Sequence, residues 1–519
     1  MQRYKLLAAG IVVLIEVAAA VAVLVSLSAG RARTEAAPGA PPTPIPSSQP
    51  NAPMPIRHVI EVMLENHTFD NLFGRFPGAD GIPPGTTLPG PGAASSSAPG
   101  VHPVFANPNE GDVMNALDNG RGALLSAMDD VAGKGFRMDH FSVLPADSMA
   151  SITEFGPRFD PNQQYLARHY ELADRNFQPL IGPTMPNVMA ALNGTAHGWF
   201  SNILNPADTR PWNSIFDELT AAGRSWKIYY ALPRTVLDGT LWEKIIPPGH
   251  EDSITSGDQF FTDIADGQLP DFSFVRPGVG YSGEAEEDLG NPDAWIGQLV
   301  SAVAHSRYWT STAIFVSYDE GGGFWDHVAP TAASGYGTRT PLTIISPYAR
   351  RGVYRQPTTN VSILSFMQKM WGLAPLTPLN KSQNDLMSAF DFGQAPLPAP
   401  VLPVAPVHTL AFHGPAGILT NIAEPGPGEP VSINLWAETP GLSLDAGVRG
   451  AVRLSVTPPR GVAVPAAVPI SVSLTGGQAN FTLVFPIAGY YRVAAIGPDG
   501  SVGWATVDVG TTPATAPPQ

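Results

Sequence analysis

The sequence predicts an α/β domain on a large, mostly parallel sheet with helices on both faces, followed by an all-β sandwich. Three observations carry this. Between residues 56 and 395, apolar strand-length runs alternate with helix-length segments, the order that gives parallel strands joined by helical crossovers. After a Pro-rich stretch at 396–408, the composition shifts to Val, Ser, Thr, Gly and Pro in short alternating runs, the pattern of half-buried strands in a sandwich. Charged residues are only 14% of the chain, against 52 Gly and 55 Pro, so loops carry much of its length.

The remaining composition bounds the chemistry. A chain of 519 residues holds two or three domains, and 44% apolar content is ordinary for a globular protein. The net charge of −15 argues against a nucleic-acid groove. It leaves room for a phosphate ester, because a bound cation inverts the local field. With no cysteine, neither a disulfide framework nor a thiolate metal site can form. A metal must be held by oxygen or nitrogen donors, which suits hard cations or zinc.

In chain order, Arg3 and Lys5 precede an apolar run at 6–29, broken by Glu16 and followed by Arg31 and Arg33. Roughly 20 apolar residues span a bilayer, so residues 1–33 read as a signal anchor or a long signal peptide. Either places the rest of the chain outside the cytoplasm, membrane-anchored or secreted. Residues 34–55 are a Pro/Ala-rich linker. RHVIEVML at 57–64 is the first buried strand, and residues 81–100 form a low-complexity surface loop. Helices are expected at 112–131, 163–174, 213–222, 293–305 and 360–371. Further strands are expected at 226–231, 272–276, 312–318 and 342–346. Short strands at 431–436, 451–456, 479–485, 490–495 and 501–509, with turns at Thr475-Gly476-Gly477 and Pro498-Asp499-Gly500, make an Ig-like accessory domain over 409–511. Residues 512–519 are a disordered tail.

Two of these strands end in acid. The run at 312–318 leads into Asp319-Glu320-Gly321-Gly322-Gly323-Phe324-Trp325-Asp326-His327, and the first strand into Glu65-Asn66. In α/β sheets, ligands bind where strand C-termini converge; a lone acidic turn would otherwise only close a strand. Between them lies Gly182-Pro183-Thr184-Met185-Pro186-Asn187, directly before an apolar helical run. A hydroxyl there sits near free N–H groups and the positive helix end, or it simply caps the helix. If the three stretches converge, they form an oxygen-rich divalent metal site beside a nucleophile. That suits hydrolysis of phosphate or sulfate esters, with Thr184 attacking in line to give a phospho-threonine. His327 then either protonates a leaving oxygen or serves as a neutral structural histidine.

Six stretches carry a resemblance: HVIEVMLENHTFDNLFG at 58–74, GPTMPN at 182–187, WKIYY at 226–230, LPDFSFVRP at 269–277, FVSYDEGGGFWDHV at 315–328 and RTPLTIISPYARRG at 339–352. In this order, the domain resembles the phosphoesterase family of bacterial phospholipases C and acid phosphatases, within the alkaline-phosphatase-like superfamily. The resemblance implies an alkaline-phosphatase-like fold and hydrolysis of a phosphate ester, either a small molecule or a phospholipid head group. It implies a metal site of Glu65, Asn66, Asp319 and Glu320, the nucleophile Thr184, and His327 as a catalytic residue. Asn187 and Asp326 are implied to bind substrate. Family histidines are missing from Asp118-Asn119-Gly120-Arg121 and from Tyr281-Ser282-Gly283-Glu284-Ala285-Glu286-Glu287-Asp288, and His67 stands where arginine is frequent. Those histidines would bind or protonate substrate, so the leaving-group acid and substrate class stay open. A sulfatase or phosphonate hydrolase of the same superfamily, or a catalytically silent cell-surface binding protein, are the alternatives.

Overall fold

The computed structural model describes residues 54–90, 100–105, 118–131, 135–143, 150–203, 212–230, 241–242, 244–278, 280–284, 287–331, 334–414, 417–418, 421–422, 425–458 and 471–510. The expected N-terminal segment and the tail at 512–519 lie outside the described residues. No described helix is long and apolar enough to cross a membrane.

The α/β domain is organised on eight strands: β1 His58–Leu64, β2 Glu171–Ala173, β3 Trp226–Tyr230, β4 Ile254–Ser256, β5 Phe272–Arg276, β6 Thr312–Tyr318, β7 Leu342–Ile345 and β8 Gly352–Tyr354. Their order across the sheet is β8-β2-β7-β6-β1-β5-β3-β4. Only β7 runs against the rest, so the sheet is mostly parallel, as expected. Every residue of β6 is buried, which means both sheet faces are covered and explains why it reads as a continuous apolar run. The helices Pro161–His169 (α1), Gly257–Asp266 (α3) and Gly290–Ala304 (α4) pack in one group, and Thr184–Asn193 (α2) with Val361–Trp371 (α5) in another.

The register places the site. β1 lies between β5 and β6, with Leu64 opposite Tyr318. Glu65 and Asp319 therefore leave neighbouring strands at the same level, and Arg276 ends the strand on the other side. Successive strands β5 and β6 flank β1 through the crossover helix α4, making the kind of crevice in which α/β sheets bind ligands.

Several elements differ from expectation. The helix expected at 112–131 is confined to Arg121–Met128, with 112–117 outside the described residues. The one expected at 163–174 spans Pro161–His169 and gives way to strand β2. Strands β2, β4 and β8 have three residues each, too short for a hydrophobic period to announce them. At the flank of the low-complexity loop, Ile82 and Leu88 are buried against Leu124, Met128 and Trp325.

The C-terminal strands are β9 Thr409–Gly414, β10 Pro430–Glu438, β11 Gly450–Thr457, β12 Ser471–Leu474, β13 Gln478–Val484, β14 Gly489–Ile496 and β15 Val502–Val509. With two short strands they bond into a single nine-stranded sheet around its own apolar core. The Pro-rich connection is no free tether. Leu397 N–H donates to Pro347 O (2.8 Å), and Trp309 Nε1 to Leu397 O (3.0 Å). Farther along, Val404 N–H donates to Asn162 Oδ1 (2.9 Å) and Gln298 Nε2 to Pro406 O (2.9 Å). A proline-rich segment has few backbone donors of its own, and here side chains of the α/β domain satisfy its carbonyls.

Candidate active site

Helix α2 starts at Thr184, with Pro183 as its N-cap and no side-chain capping bond. The Thr184 hydroxyl instead donates to Glu65 Oε2 at 3.1 Å. Asn187 is fully buried; its amide donates to Gly182 O (2.8 Å) and Pro183 O (2.9 Å), and its oxygen accepts from Leu180 N–H (3.2 Å). Asn187, implied by the resemblance to bind substrate, braces the Thr184 turn through these three bonds.

Asn66 adopts a left-handed backbone at φ 66°, a conformation asparagine tolerates better than most side chains. Its amide donates to Glu284, and its Oδ1 is buried without a hydrogen-bond partner. Gly322, at φ 63°, lies against the Asn66 backbone where any side chain would collide; this close approach accounts for glycine in the acidic turn.

Asp319 and Glu320 are both at 0% exposure. Asp319 Oδ1 accepts from Glu320 N–H (2.8 Å), while Oδ2 makes no hydrogen bond of normal geometry. Burial pushes the Asp319 carboxyl up to about 6, opposed by Arg276 and by neighbouring donors that include the Thr184 hydroxyl. Burial and the adjacent Asp319 charge push Glu320 well above the carboxylate range. Glu320 accepts from Asn119 Nδ2 (2.6 Å) and Gly322 N–H (2.8 Å).

Arg276, Asn119 and Glu284 join this cluster although no sequence argument placed them there. Arg276 is buried, pairs with Glu65, and lies 4.0 Å from Asp319 Oδ2. Asn119 and Glu284 fall in the two stretches that lack the family histidines. The signal was present as those departures, but only the fold brings both stretches to the Glu320 and Asn66 side chains.

Asp326 and His327 belong to a neighbouring network. Arg339, at 0% exposure, donates through Nε to Asp326 Oδ1 (2.8 Å) and through Nη2 to Asp70 Oδ1 (3.0 Å). Its Nη1 donates to the carbonyls of Asp80 and Asp174, both at 2.8 Å. His327 Nδ1 and Asp70 Oδ2 are 2.6 Å apart. Burial is the largest influence and lowers the His327 pKa, but the bond to Asp70 and the charges of Asp70 and Asp326 together outweigh it, and the net shift is upward. Among the described residues no hydrogen bond or ion pair joins Asp326 or His327 to Thr184.

Among the described residues, two triads bring ligand atoms within 4.8 Å of one another: Asp70, Asp326 and His327, and the partly exposed Asp129, Asp139 and His140. In the first, Arg339 already supplies the positive charge. The expected set of Glu65, Asn66, Asp319 and Glu320 is more open, with Arg276 between Glu65 and Asp319. It combines the buried carboxylates of Asp319 and Glu320 with two buried oxygens that have no hydrogen-bond partner, Asn66 Oδ1 and Asp319 Oδ2. Buried groups of this kind require a partner, and hard oxygen donors fit a divalent cation.

The Phosphoesterase family model matches residues 56–374. The chain is 26% identical to "Non-specific phospholipase C6" of Arabidopsis thaliana over 336 residues, covering 57% of this chain and 63% of that protein. It is 25% identical to "Phospholipase C B" of Mycobacterium tuberculosis over 416 residues, covering 66% and 79%. The chain thus spans under two thirds of the length of the Arabidopsis relative. A solved protein of the alkaline phosphatase superfamily from Vibrio parahaemolyticus is 15% identical, covering 56% of this chain and 73% of that one, at a TM-score of 0.34. Matched by its model over more than half of its length, the chain belongs to the Phosphoesterase family.

Proposed function

We propose that this chain hydrolyses phosphate esters, with Thr184 as the nucleophile and a divalent metal ion held by Glu65, Asn66, Asp319 and Glu320. The observation that carries the reading is the Thr184 hydroxyl, which stands at a helix N-terminus yet donates to Glu65 rather than capping the helix. That bond turns the hydroxyl proton toward Glu65 and leaves oxygen lone pairs for phosphorus. Attack forms the Thr184 Oγ1–P bond and breaks the bond from phosphorus to the leaving oxygen, which takes up a proton. Water then attacks phosphorus, releases the phosphate product and restores the Thr184 hydroxyl. A bound metal would lower the hydroxyl pKa and offset charge on the phosphoryl group. Arg276, buried beside Glu65 and Asp319, adds a fixed positive charge where anionic oxygens gather.

The names of the relatives support a phosphodiester of a lipid head group, and aryl esters serve as its chromogenic probes. One purified sample assayed on p-nitrophenyl phosphate, p-nitrophenyl phosphorylcholine and p-nitrophenyl sulfate decides the class. Hydrolysis of a phosphate ester but not the sulfate is expected. Cleavage of the sulfate alone, or of none with any divalent metal, overturns the reading. The apolar run at 6–29 supports an extracytoplasmic location, secreted or membrane-anchored; fractionation that found the chain in the cytoplasm would refute it.

A further inference from the structure

The C-terminal β domain lies outside the matched family region, yet it grips one loop of the site. We propose that this domain is a working part of the catalytic unit. It clamps the loop between β5 and α4 and thereby fixes the Glu65 backbone and the Glu284 carboxylate. The catalytic half of this proposal rests on the site reading above; the clamp itself rests on contacts alone.

One side of the loop faces the site. Glu65 N–H donates to Ser282 O at 2.8 Å. Gly283, at φ 86°, packs against the Glu65 carbonyl and the His67 ring, and Glu284 accepts from Asn66. Inside the loop, Glu287 collects the N–H groups of Gly280 (2.6 Å), Ser282 (2.9 Å) and Gly283 (2.9 Å), folding the backbone around one carboxylate.

The other side faces the β domain: two of its strands reach the loop, and a third reaches the first turn of α4 that follows it. The Tyr281 hydroxyl donates to Glu438 Oε2 at 2.9 Å, both residues being buried. Arg492 on β14 grips Asp288 with two donors, Nη2 to Oδ1 at 2.7 Å among them. Trp504 on β15 exchanges two bonds of 2.9 Å with Asn291. Its ring also lies where a side chain at Gly290 would stand. The bonds to Asp288 and Glu438 are charge-assisted and shielded from water, the stronger kind. Tyr281 and Ser282 are adjacent residues, so displacement on the β-domain side reaches Glu65 within one peptide unit. Elsewhere the domain is held by bonds that miss the loop: Thr439 Oγ1 to Asp258 Oδ1 (2.6 Å) and Trp295 Nε1 to Pro440 O (2.9 Å).

The test uses the full chain with Arg492→Ala, Arg492→Lys, Tyr281→Phe and the control Thr439→Val. Amide hydrogen exchange at Glu65 and Gly283 is measured beside kcat and KM for p-nitrophenyl phosphate. Arg492→Ala is expected to speed both amides about tenfold or more and to lower kcat about fivefold or more, with KM changing less. Arg492→Lys should recover part of both effects, and Thr439→Val should leave both at wild-type values. Tyr281→Phe, lacking a single hydroxyl, gives the same pattern at smaller amplitude and stands in if Arg492→Ala does not fold. Unchanged exchange at Glu65 in both Arg492→Ala and Tyr281→Phe overturns the clamp, as does an equal effect in Thr439→Val. A wild type that cleaves no phosphate ester refutes the site reading, and exchange then decides the clamp alone.

Discussion

Two buried acidic clusters of the α/β domain differ in how their charge is met. Around Arg339, the carboxylates of Asp70 and Asp326 and the imidazole of His327 are all engaged. Around Thr184, Arg276 faces the carboxylates of Glu65, Asp319 and Glu284, Glu320 accepts from Asn119 and Gly322, and Asn66 Oδ1 and Asp319 Oδ2 are left without hydrogen bonds. Such orphans are costly in an interior, so a fold retains them where something else is to bind. Acidity and burial are common to both clusters; incomplete satisfaction distinguishes the second.

The comparison can be broken at either cluster. The largest effect should come from Thr184→Ala, which is expected to cut aryl phosphate hydrolysis at least ~10³-fold, about 4 kcal/mol of transition-state stabilisation. Its urea-unfolding midpoint should stay near wild type, because the change removes only a hydroxyl that faces the site carboxylates. Retention of most activity would remove Thr184 as nucleophile. Arg339→Met should act the other way, costing about 3–5 kcal/mol of stability by leaving Asp70 and Asp326 buried without their cation; denaturant titration reads this. A loss under 1 kcal/mol would mean the network does not depend on that cation.

Metal addition sharpens the contrast without any assay of turnover. Divalent cations binding the folded state raise its melting temperature, and the gain should vanish in Asp319→Asn yet persist in His327→Gln. An equal loss in both would move the metal to the Arg339 network. The smallest effect concerns Glu61, in the middle of β1 at 1% exposure. Burial pushes its carboxyl up to about 8, with Ser317 opposing. The folded state therefore holds a proton that the unfolded chain has released, so this contribution is complete below the unfolded pKa near 4.5 and is lost as pH rises to about 8. Glu61→Gln should flatten that slope in unfolding midpoints taken between pH 5 and 9. A slope equal to wild type would assign the pH dependence to other groups.

How much was legible follows from the range of each signal. The strands β1, β5 and β6 announce themselves because central parallel strands are apolar on both faces, and Glu65-Asn66 and Asp319-Glu320 are read as their ends. Strands β2, β4 and β8 are hidden by brevity. Asn187 was assigned to substrate through its motif; its three hydrogen bonds to the Thr184 turn emerge only once the chain folds back on itself. Asp326 and His327 follow Asp319 by a few residues, yet the turn at Gly321 and Gly322 carries them to Arg339. Proximity in sequence was a poor guide to proximity in space.

The sequence by itself determined the α/β class, the all-β C-terminal region, the absence of thiol chemistry and the two acidic strand ends. Each of these depends on local pattern or residue type, and a linear chain displays both. The tertiary structure alone decided which acids lack partners, that Arg276, Asn119 and Glu284 stand among them, and that the β domain grips the loop carrying Glu284. Those facts depend on register and on contacts between residues as far apart as Asp288 and Arg492. Such pairings are set by packing the whole sheet, not by any stretch of chain within it.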